Sequence, residues 1–299
     1  LILNPFPTTT LPENRSTRLT TSKTPPRQTR KPTKYTIFAP HTIIHTHMRP
    51  LIFISNDDGY MSNGIKTLIE ALKPLGDLFV VAPDSARSGA GCSITSTIPV
   101  SCRHISSDNG VNIYACSGTP ADCTKLALSQ LLVRQPDLIV AGINHGGNAS
   151  VNIHYSGTVA VTTEGALHGI PSIAFSSLNA DTNADLSHTI PVCQHIARLA
   201  MQHDMAFGTY LNVNFPLTTQ IKGIKPCRTA YSRWIEEFEP CCCPRGGKYF
   251  WLTGENVNEE PDDDSTDLWA LEHDYVAVTP IMTDPTDHAM IESMKEWDL

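Results

Sequence analysis

The chain has 299 residues, of which 40% are hydrophobic and 17% are charged. This composition supports one large or two small globular domains, and it excludes a coiled coil or a charge-driven disordered chain. The formal net charge of −8 argues against a protein that coats nucleic acid, and no apolar run approaches the roughly 20 residues of a transmembrane helix.

The first 47 residues differ from the rest of the chain in composition. They contain seven Lys or Arg, one acid, 12 Thr and seven Pro, whereas residues 48–299 contain 15 Lys or Arg and 29 acids. We expect residues 1–47 to be disordered, because they bury too little apolar surface to offset their ordering entropy. A transit peptide, a flexible binding tail and upstream sequence translated through a start-site error all remain open. We favour the start-site error, with Met48 as the true start.

Residues 48–216 alternate between predicted strands and predicted helices, and we treat them as the core domain. The strands are predicted at Leu51–Ser55, Leu78–Ala82, Val111–Ala115, Leu138–Ala141, Ser172–Ser176 and Leu211–Phe215. The helices follow apolar stripes or capping signals at residues 65–72, 120–131, 158–167 and 190–201. This alternation predicts an α/β fold with a doubly wound, mostly parallel sheet.

The pattern changes in residues 217–299. Strand-like segments at Lys248–Leu252 and Tyr275–Thr279 predict an appended β-hairpin arm, and Asp287–Trp297 predicts a short terminal helix. Between the strands, Glu255–Asp267 carries seven acids in 13 residues, which predicts a solvated, mobile loop. We expect residues 217–299 to complete the functional site and to hold an oligomer together.

Nine cysteines are present, six of them single and three contiguous at Cys241–Cys243. An odd count without regular spacing predicts reduced thiols in a cytoplasmic protein rather than a disulfide framework. The contiguous cysteines lack the C-x₂-C spacing of a zinc site.

Three polar clusters follow predicted strands, at Asp57-Asp58-Gly59, at Asp84–Gly89 and at Gly142–Asn148. Ligands of open α/β sheets bind at the carboxyl ends of the strands, so we expect these clusters to meet at one edge. Asp-Asp-Gly alone is also typical of a turn. Together with the oxygen atoms of Ser88 and Asn144, however, the two carboxylates form a donor set suited to Mg²⁺, Mn²⁺ or Ca²⁺.

A fourth cluster, Tyr155-Ser156-Gly157-Thr158, stands directly before a predicted helix. Backbone N–H groups at a helix N-terminus form an anion site, although ordinary Ser/Thr capping explains the same residues. Neither a G-x-G-x-x-G motif that opens a helix nor a P-loop motif occurs in the chain.

Five motifs occur in the order seen in the SurE (survival protein E) nucleotidases, which the chain therefore resembles from about Met48 to Met290. They are Ser55–Gly59, Ala82-Pro83 with Arg87–Gly89, Gly118–Cys123, Gly142–Asn144 and Tyr155–Ala160. The resemblance implies a Rossmann-like core and a metal-dependent phosphomonoesterase that hydrolyses nucleoside 5′- and 3′-monophosphates. It also implies a homodimer or homotetramer held by a swapped arm.

The resemblance also implies roles for individual residues. It makes Asp57, Asp58, Ser88 and Asn144 ligands of one divalent ion per subunit, Mg²⁺ or Mn²⁺, and Ser156, Gly157 and Thr158 phosphate contacts. A less specific Asp-x-x-x-His match adds Asp284 and His288 to the catalytic residues Asp57 and Asn144. Residues 1–47 have no family counterpart, and His145-Gly146-Gly147-Asn148 stands where many members carry Ala-Gly-Xaa-Asn.

The expected chemistry follows from charge. A metal at Asp57 and Asp58 lowers the pKa of a water nucleophile, and His288 is the candidate proton donor. A non-catalytic binding module and a serine hydrolase are the alternatives, but no G-x-S-x-G elbow occurs. The expected partner is a small nucleotide, with no stable nucleic acid and no membrane.

Overall fold

The computed structural model describes residues 48–299, so the prediction for residues 1–47 lies outside the described part. Thirteen strands occur in the described residues: β1 (Leu51–Ser55), β2 (Asp77–Pro83), β3 (Cys102–Asp108), β4 (Val111–Cys116), β5 (Leu138–His145), β6 (Ser172–Ser177), β7 (Thr209–Phe215), β8 (Gly223–Pro226), β9 (Ser232–Ile235), β10 (Phe238–Cys242), β11 (Lys248–Leu252), β12 (Glu255–Asn258) and β13 (Tyr275–Met282). The helices are α1 (Asn63–Leu72), α2 (Pro120–Leu126), α3 (Gly157–Leu167), α4 (Ile190–Gln202), α5 (Asp267–Glu272) and α6 (His288–Met294).

Nine of these strands form one sheet, in the order β3-β4-β2-β1-β5-β6-β7-β13-β8. The six strands from β4 to β7 in this order are parallel, whereas β3 and β13 run antiparallel to their neighbours β4 and β7. The chain winds outward from β1 through β2 to β4, and it returns to the other side of β1 at β5. This reversal opens a crevice between the carboxyl ends of β1 and β5, where open α/β sheets bind their ligands.

Helices cover both faces of the sheet, as a doubly wound fold requires. On one face, Ile65 and Leu68 of α1 and Ile196 of α4 share a hydrophobic cluster with Ile52 and Ile54 of β1. On the other face, Phe53 packs in a second cluster with side chains of α2 and α3. Side chains alternate along β1 because successive residues of a strand point to opposite faces. The predicted α/β fold is confirmed.

The first turns of two helices explain why they begin where they do. The Thr119 side chain accepts a hydrogen bond from the N–H of Asp122, and Asp122 bonds back to the N–H of Thr119, so α2 begins with a capping box and Pro120 at its first position. At α3 the cap is Ser156, whose hydroxyl accepts from the N–H of Val159. The predicted starts of these helices are therefore correct.

The predicted C-terminal β-hairpin arm is present, and the second predicted strand of this region, β13, belongs to the main sheet. β13 pairs with β7 over six residues and with β8 over four, while β10 pairs with β11 and β12 with β9 in two separate hairpin ribbons. The terminal helix occurs as α6. Strands β3, β8, β9, β10 and β12 were not predicted from the sequence.

The prediction of a mobile loop at Glu255–Asp267 is wrong. Its first residues form β12, and Asp267 is fully buried at the start of α5. Glu260 and Asp263 both pair with the guanidinium of Arg228, at 2.6 Å. Asp267 accepts hydrogen bonds from the backbone N–H groups of Ser150 and Ala230. Partners that are distant in sequence thus hold Glu260, Asp263 and Asp267.

All nine cysteines lie in the described residues, and none of them forms a disulfide there. No helix between residues 48 and 299 is long and apolar enough to cross a membrane.

Candidate metal and phosphate site

The turn after β1 is held by Asn56. Its Nδ2 donates to the carbonyl oxygen of Gly59 at 3.1 Å and to the hydroxyl of Ser62 at 2.9 Å, while its Oδ1 accepts from the N–H of Gly59. Gly59 has a φ of 97°, a conformation that glycine adopts without steric cost. This buried amide therefore fixes the turn that carries Asp57 and Asp58.

Asp57 is buried, with 4% of its surface exposed. Its Oδ1 accepts the hydroxyl hydrogen of Thr158 at 2.5 Å. Burial raises the pKa of Asp57 to about 6, the hydrogen bond from Thr158 opposes this shift, and the negative charge of Asp58 adds to it. Two neighbouring carboxylates in a buried turn repel each other, and a bound cation would relieve that repulsion.

Gly157 lets the first turn of α3 approach Asp57. A Cβ on Gly157 would lie 2.8 Å from the Cβ of Asp57 and 3.0 Å from the Cγ of Pro120. No side chain larger than hydrogen fits there. The N-terminus of α3 consequently lies directly beside the Asp57 carboxylate, which accepts a hydrogen bond from the N–H of Gly157.

Asp58 contacts the end of β5. Its Oδ2 accepts from the backbone N–H of His145 at 3.3 Å and lies 3.0 Å from Nδ1 of the same residue. The His145 side chain is only 2% exposed, and that of Asp58 is 13% exposed. The polar cluster after β1 and the polar cluster at the end of β5 are thus in direct contact.

Asn144 lies on β5, one residue before His145, and is largely buried. Its amide nitrogen donates to the carbonyl oxygen of Gly146 at 2.7 Å, so the orientation of the amide is set and its Oδ1 is the atom left for a ligand. The sequence prediction that Asn144 belongs to the same edge as Asp57 and Asp58 agrees with this position.

The loop that carries Ser88 is tied to the turn after β1. The N–H of Arg87 donates to the carbonyl oxygen of Asp57 at 2.7 Å, and the N–H of Gly91 donates to the carbonyl oxygen of Tyr155 at 3.1 Å. Arg87, the residue before Ser88, therefore contacts the Asp57 backbone, and Ser88 itself is exposed. The structure therefore places the loop of Ser88 beside the turn that carries Asp57, at the carboxyl edge of the sheet.

Two of the predicted phosphate contacts make hydrogen bonds within the chain. The hydroxyl of Ser156 caps α3, and the hydroxyl of Thr158 is donated to Asp57. The Thr158 hydroxyl is thus a carboxylate partner rather than a free donor to phosphate. The N–H of Val159 donates to the Ser156 hydroxyl, and that of Gly157 donates to the Asp57 carboxylate. The hydrogen of the Ser156 hydroxyl and the N–H of Thr158 are therefore the donors left for an anion.

A buried amide network next to this edge was missed by the sequence reasoning. Asn148 is held at both backbone groups: its N–H donates to Asn214 at 2.8 Å, and its carbonyl oxygen accepts from Asn212 at 2.8 Å. Its side chain donates to the hydroxyl of Ser176 at 2.7 Å. Alternating Asn residues in β7 are unusual for a buried strand, and this was the signal that could have revealed the network.

Asp284 and His288 do not join this site within one chain. β13 runs antiparallel to β7, and its last residue, Met282, pairs with Thr209 at the beginning of β7. The chain therefore leaves β13 at the amino edge of the parallel sheet, opposite the edge that carries Asp57. There Asp284 and His288 contact each other at 3.4 Å, with side chains 48% and 77% exposed.

The donor set at the carboxyl edge is made of oxygen atoms. The described residues contain no group of three or more His, Cys, Asp or Glu side chains that could hold a metal, and Cys241–Cys243 accordingly form no such group. Two carboxylates with the neutral oxygens of Ser88 and Asn144 instead suit a hard divalent cation that keeps water in its shell.

The chain is similar to proteins of one known family. The sequence model of the family described as "Survival protein SurE" matches residues 52–236. The chain is 46% identical over 251 residues to a protein of Phocaeicola vulgatus named 5′-nucleotidase SurE, covering 84% of this chain and 98% of that protein. A protein of the same name from Porphyromonas gingivalis is 36% identical over 246 residues, covering 82% of this chain and 95% of that protein.

A solved structure gives the same result for the fold. The crystal structure of a SurE protein from Aquifex aeolicus superposes with a TM-score of 0.71 at 39% sequence identity, and the match covers 82% of this chain and 98% of that chain. The family resemblance seen in the five sequence motifs is confirmed, and the chain belongs to the SurE family.

Proposed function

We propose that this chain is a 5′-nucleotidase that hydrolyses nucleoside 5′-monophosphates, and also 3′-monophosphates, to a nucleoside and phosphate with the help of a divalent metal ion. The single observation that carries the proposal is the meeting of Asp57, Asp58 and Asn144 with the N-terminus of α3 at the crevice between β1 and β5. The relatives named 5′-nucleotidase SurE support the same activity.

The proposed metal ligands are Asp57, Asp58, Ser88 and Asn144, and the proposed ion is Mg²⁺ or Mn²⁺. A divalent cation bound there would offset the negative charge of the phosphate and lower the pKa of the attacking water. The raised pKa of Asp57 supports the fit, because burial of two adjacent carboxylates is costly without a cation.

The chain's own groups bind and orient the phosphate. The Ser156 hydroxyl and the N–H of Thr158 are the donors available to an anion, and the helix dipole favours negative charge at this end. Thr158 and His145 hold the two carboxylates in place, so little reorganisation is needed when charge develops on the phosphoryl oxygens. We assign no step to Asp284 and His288 within a single chain, because they lie at the opposite edge of the sheet.

We further propose that residues 48–216 with β13 and β8 form the catalytic unit and that the β10–β11 hairpin holds a homodimer or homotetramer. Phe238, Tyr249, Phe250, Trp251 and Leu252 of this hairpin are all exposed. Large exposed apolar patches mark interaction sites. Function in the cytoplasm and independence from residues 1–47 remain predictions, which cell fractionation and truncation at Met48 test.

The decisive experiment is phosphate release from a panel of 5′- and 3′-nucleotides after chelation and addition of single divalent metals. Asp57→Asn and Asp58→Asn should each lower turnover by at least about 100-fold while the protein stays folded, because each removes one carboxylate from the site. Asp204→Asn, at an exposed position outside the site, is the matched control. Wild-type turnover in either site variant would contradict the assignment.

A further inference from the structure

Each carboxylate of the candidate metal site has one oxygen already engaged by the protein. Oδ1 of Asp57 accepts the hydroxyl hydrogen of Thr158, and Oδ2 of Asp58 receives both the backbone N–H and the ring nitrogen of His145. A carboxylate oxygen has two lone pairs, so two N–H donors occupy Oδ2 of Asp58 completely. Only Oδ1 of Asp58 stays available to a ligand.

The ring of His145 is held in one place by its surroundings. Its side chain is almost fully buried, and a Cβ on Gly64 would lie 3.3 Å from its Cε1, so the first turn of α1 packs against the ring. Nδ1 faces a carboxylate, which only accepts hydrogen bonds, and Nδ1 is therefore the protonated nitrogen. The imidazole acts as a fixed donor to Asp58.

A purely structural role for this ring is a poor explanation. Its other nitrogen, Nε2, is buried and has no hydrogen-bond partner among residues 48–299. An unpaired buried polar atom destabilises the folded state, a penalty that Leu or Phe at this position would avoid. The ring therefore destabilises the folded state through Nε2, and the one hydrogen bond that its side chain adds among residues 48–299 is that from Nδ1 to Asp58.

We infer that His145 is a positioning residue that limits Asp58 to one free oxygen and thereby makes the site select a small octahedral cation, Mg²⁺ or Mn²⁺, against Ca²⁺. Ca²⁺ accepts about six to eight oxygens and often takes both oxygens of a carboxylate, whereas Mg²⁺ requires octahedral geometry with single-oxygen ligands. This inference rests on the proposed function, since it concerns the metal of the same site.

Two substitutions separate the hydrogen bond from the volume of the ring. His145→Leu fills the space without a donor, and His145→Asn places an amide N–H near the position of Nδ1. Mn²⁺ binding is measured by electron paramagnetic resonance, Ca²⁺ binding by competition against Mn²⁺, and folding by circular dichroism. We expect His145→Leu to weaken Mn²⁺ binding about 10-fold and to lower the preference for Mn²⁺ over Ca²⁺. We expect His145→Asn to restore most of the Mn²⁺ affinity and most of the preference.

Wild-type Mn²⁺ affinity and wild-type discrimination against Ca²⁺ in a folded His145→Leu variant would overturn the inference. So would a His145→Asn variant that binds both ions as poorly as His145→Leu. If His145→Leu does not fold, His145→Ala supplies the donor-free comparison. If the wild-type chain binds no Mn²⁺ and releases no phosphate, the proposed function itself fails. If the wild-type chain binds Mn²⁺ and releases phosphate, and His145→Leu binds both ions as the wild type does, only the role of His145 fails.

Discussion

The hydroxyl of Thr158 donates its hydrogen to the carboxylate of Asp57 at 2.5 Å, which joins the first turn of α3 to the turn after β1 across 101 positions of sequence. This contact links the proposed phosphate site to the proposed metal site. A shift of α3 would move the anion donors and the Asp57 carboxylate together, so we expect the two halves of the site to respond as a unit.

Replacing Thr158 by Val should weaken the site and move its pH dependence. The hydrogen bond from Thr158 lowers the pKa of Asp57, so its loss raises that pKa further and a proton competes with metal up to a higher pH. Mn²⁺ affinity measured between pH 5 and 8 should fall off at higher pH in Thr158→Val than in the wild type. Thr158→Ser, which retains the hydroxyl, is the control and should follow the wild-type curve. Superimposable curves for Val and wild type would contradict this role.

The raised pKa of Asp57 predicts how the metal-free protein responds to pH. Because the folded state holds this proton more tightly than the unfolded chain does, the stabilising contribution of protonated Asp57 is complete below about pH 4 and is lost as pH rises through about 6. In EDTA, Asp57→Asn should therefore be more stable than the wild type at pH 8, by up to about 3 kcal/mol, and close to it at pH 4.

Thermal and denaturant unfolding of both proteins at the two pH values measures this difference. Asp204→Asn, at an exposed position, should show no such pH-dependent gap. An equal stability difference at pH 4 and pH 8 would show that burial of the Asp57 charge is not its cause.

The amide network under the loop after β5 should be needed for both stability and metal binding. Asn214→Leu leaves the buried N–H of Asn148 without its acceptor, which costs about 1–3 kcal/mol. The end of β5, which carries Asn144 and His145, should then be less well held, so Mn²⁺ affinity should fall as well. Titration calorimetry and thermal melts test both effects, with exposed Asn183→Leu as the control. Unchanged Mn²⁺ affinity despite lower stability would confine Asn214 to a structural role.

The β10–β11 hairpin should hold the oligomer together. Phe250 and Trp251 are both exposed and point to opposite faces of the two-stranded ribbon, and such a ribbon is marginal alone in water. Light scattering of the double variant Phe250→Ser, Trp251→Ser should give a lower mass than the wild type, down to the 32.7 kDa of one chain. Phe207→Ser alters an exposed aromatic residue outside the hairpin and should keep the wild-type mass. A wild-type chain that is monomeric at micromolar concentration would rule the hairpin interface out.

The core of the fold was predictable from the sequence because its signals are local. Leu51–Ser55 and Leu138–Ala141 are short apolar runs ended by polar residues, and Thr119-Pro120 and Ser156 are capping signals within one turn of their helices. Strand β3, with mostly exposed side chains, has no such apolar pattern. Strands β8, β9, β10 and β12, at four or five residues each, are too short to show a period, and they form because distant partners pair with them.

By itself, the sequence determined the α/β class, the family and the residue types at the carboxyl edge, since Asp57, Asp58 and Asn144 lie directly beside apolar strands. Only the tertiary structure decided that His145 contacts Asp58 and that Thr158 donates to Asp57. It also decided that Asp284 and His288 lie at the opposite edge of the sheet. The physical reason is that a hydrogen bond or an ion pair between groups far apart in sequence depends on the strand order and on the direction of β13. No local pattern of hydrophobic residues encodes either of these.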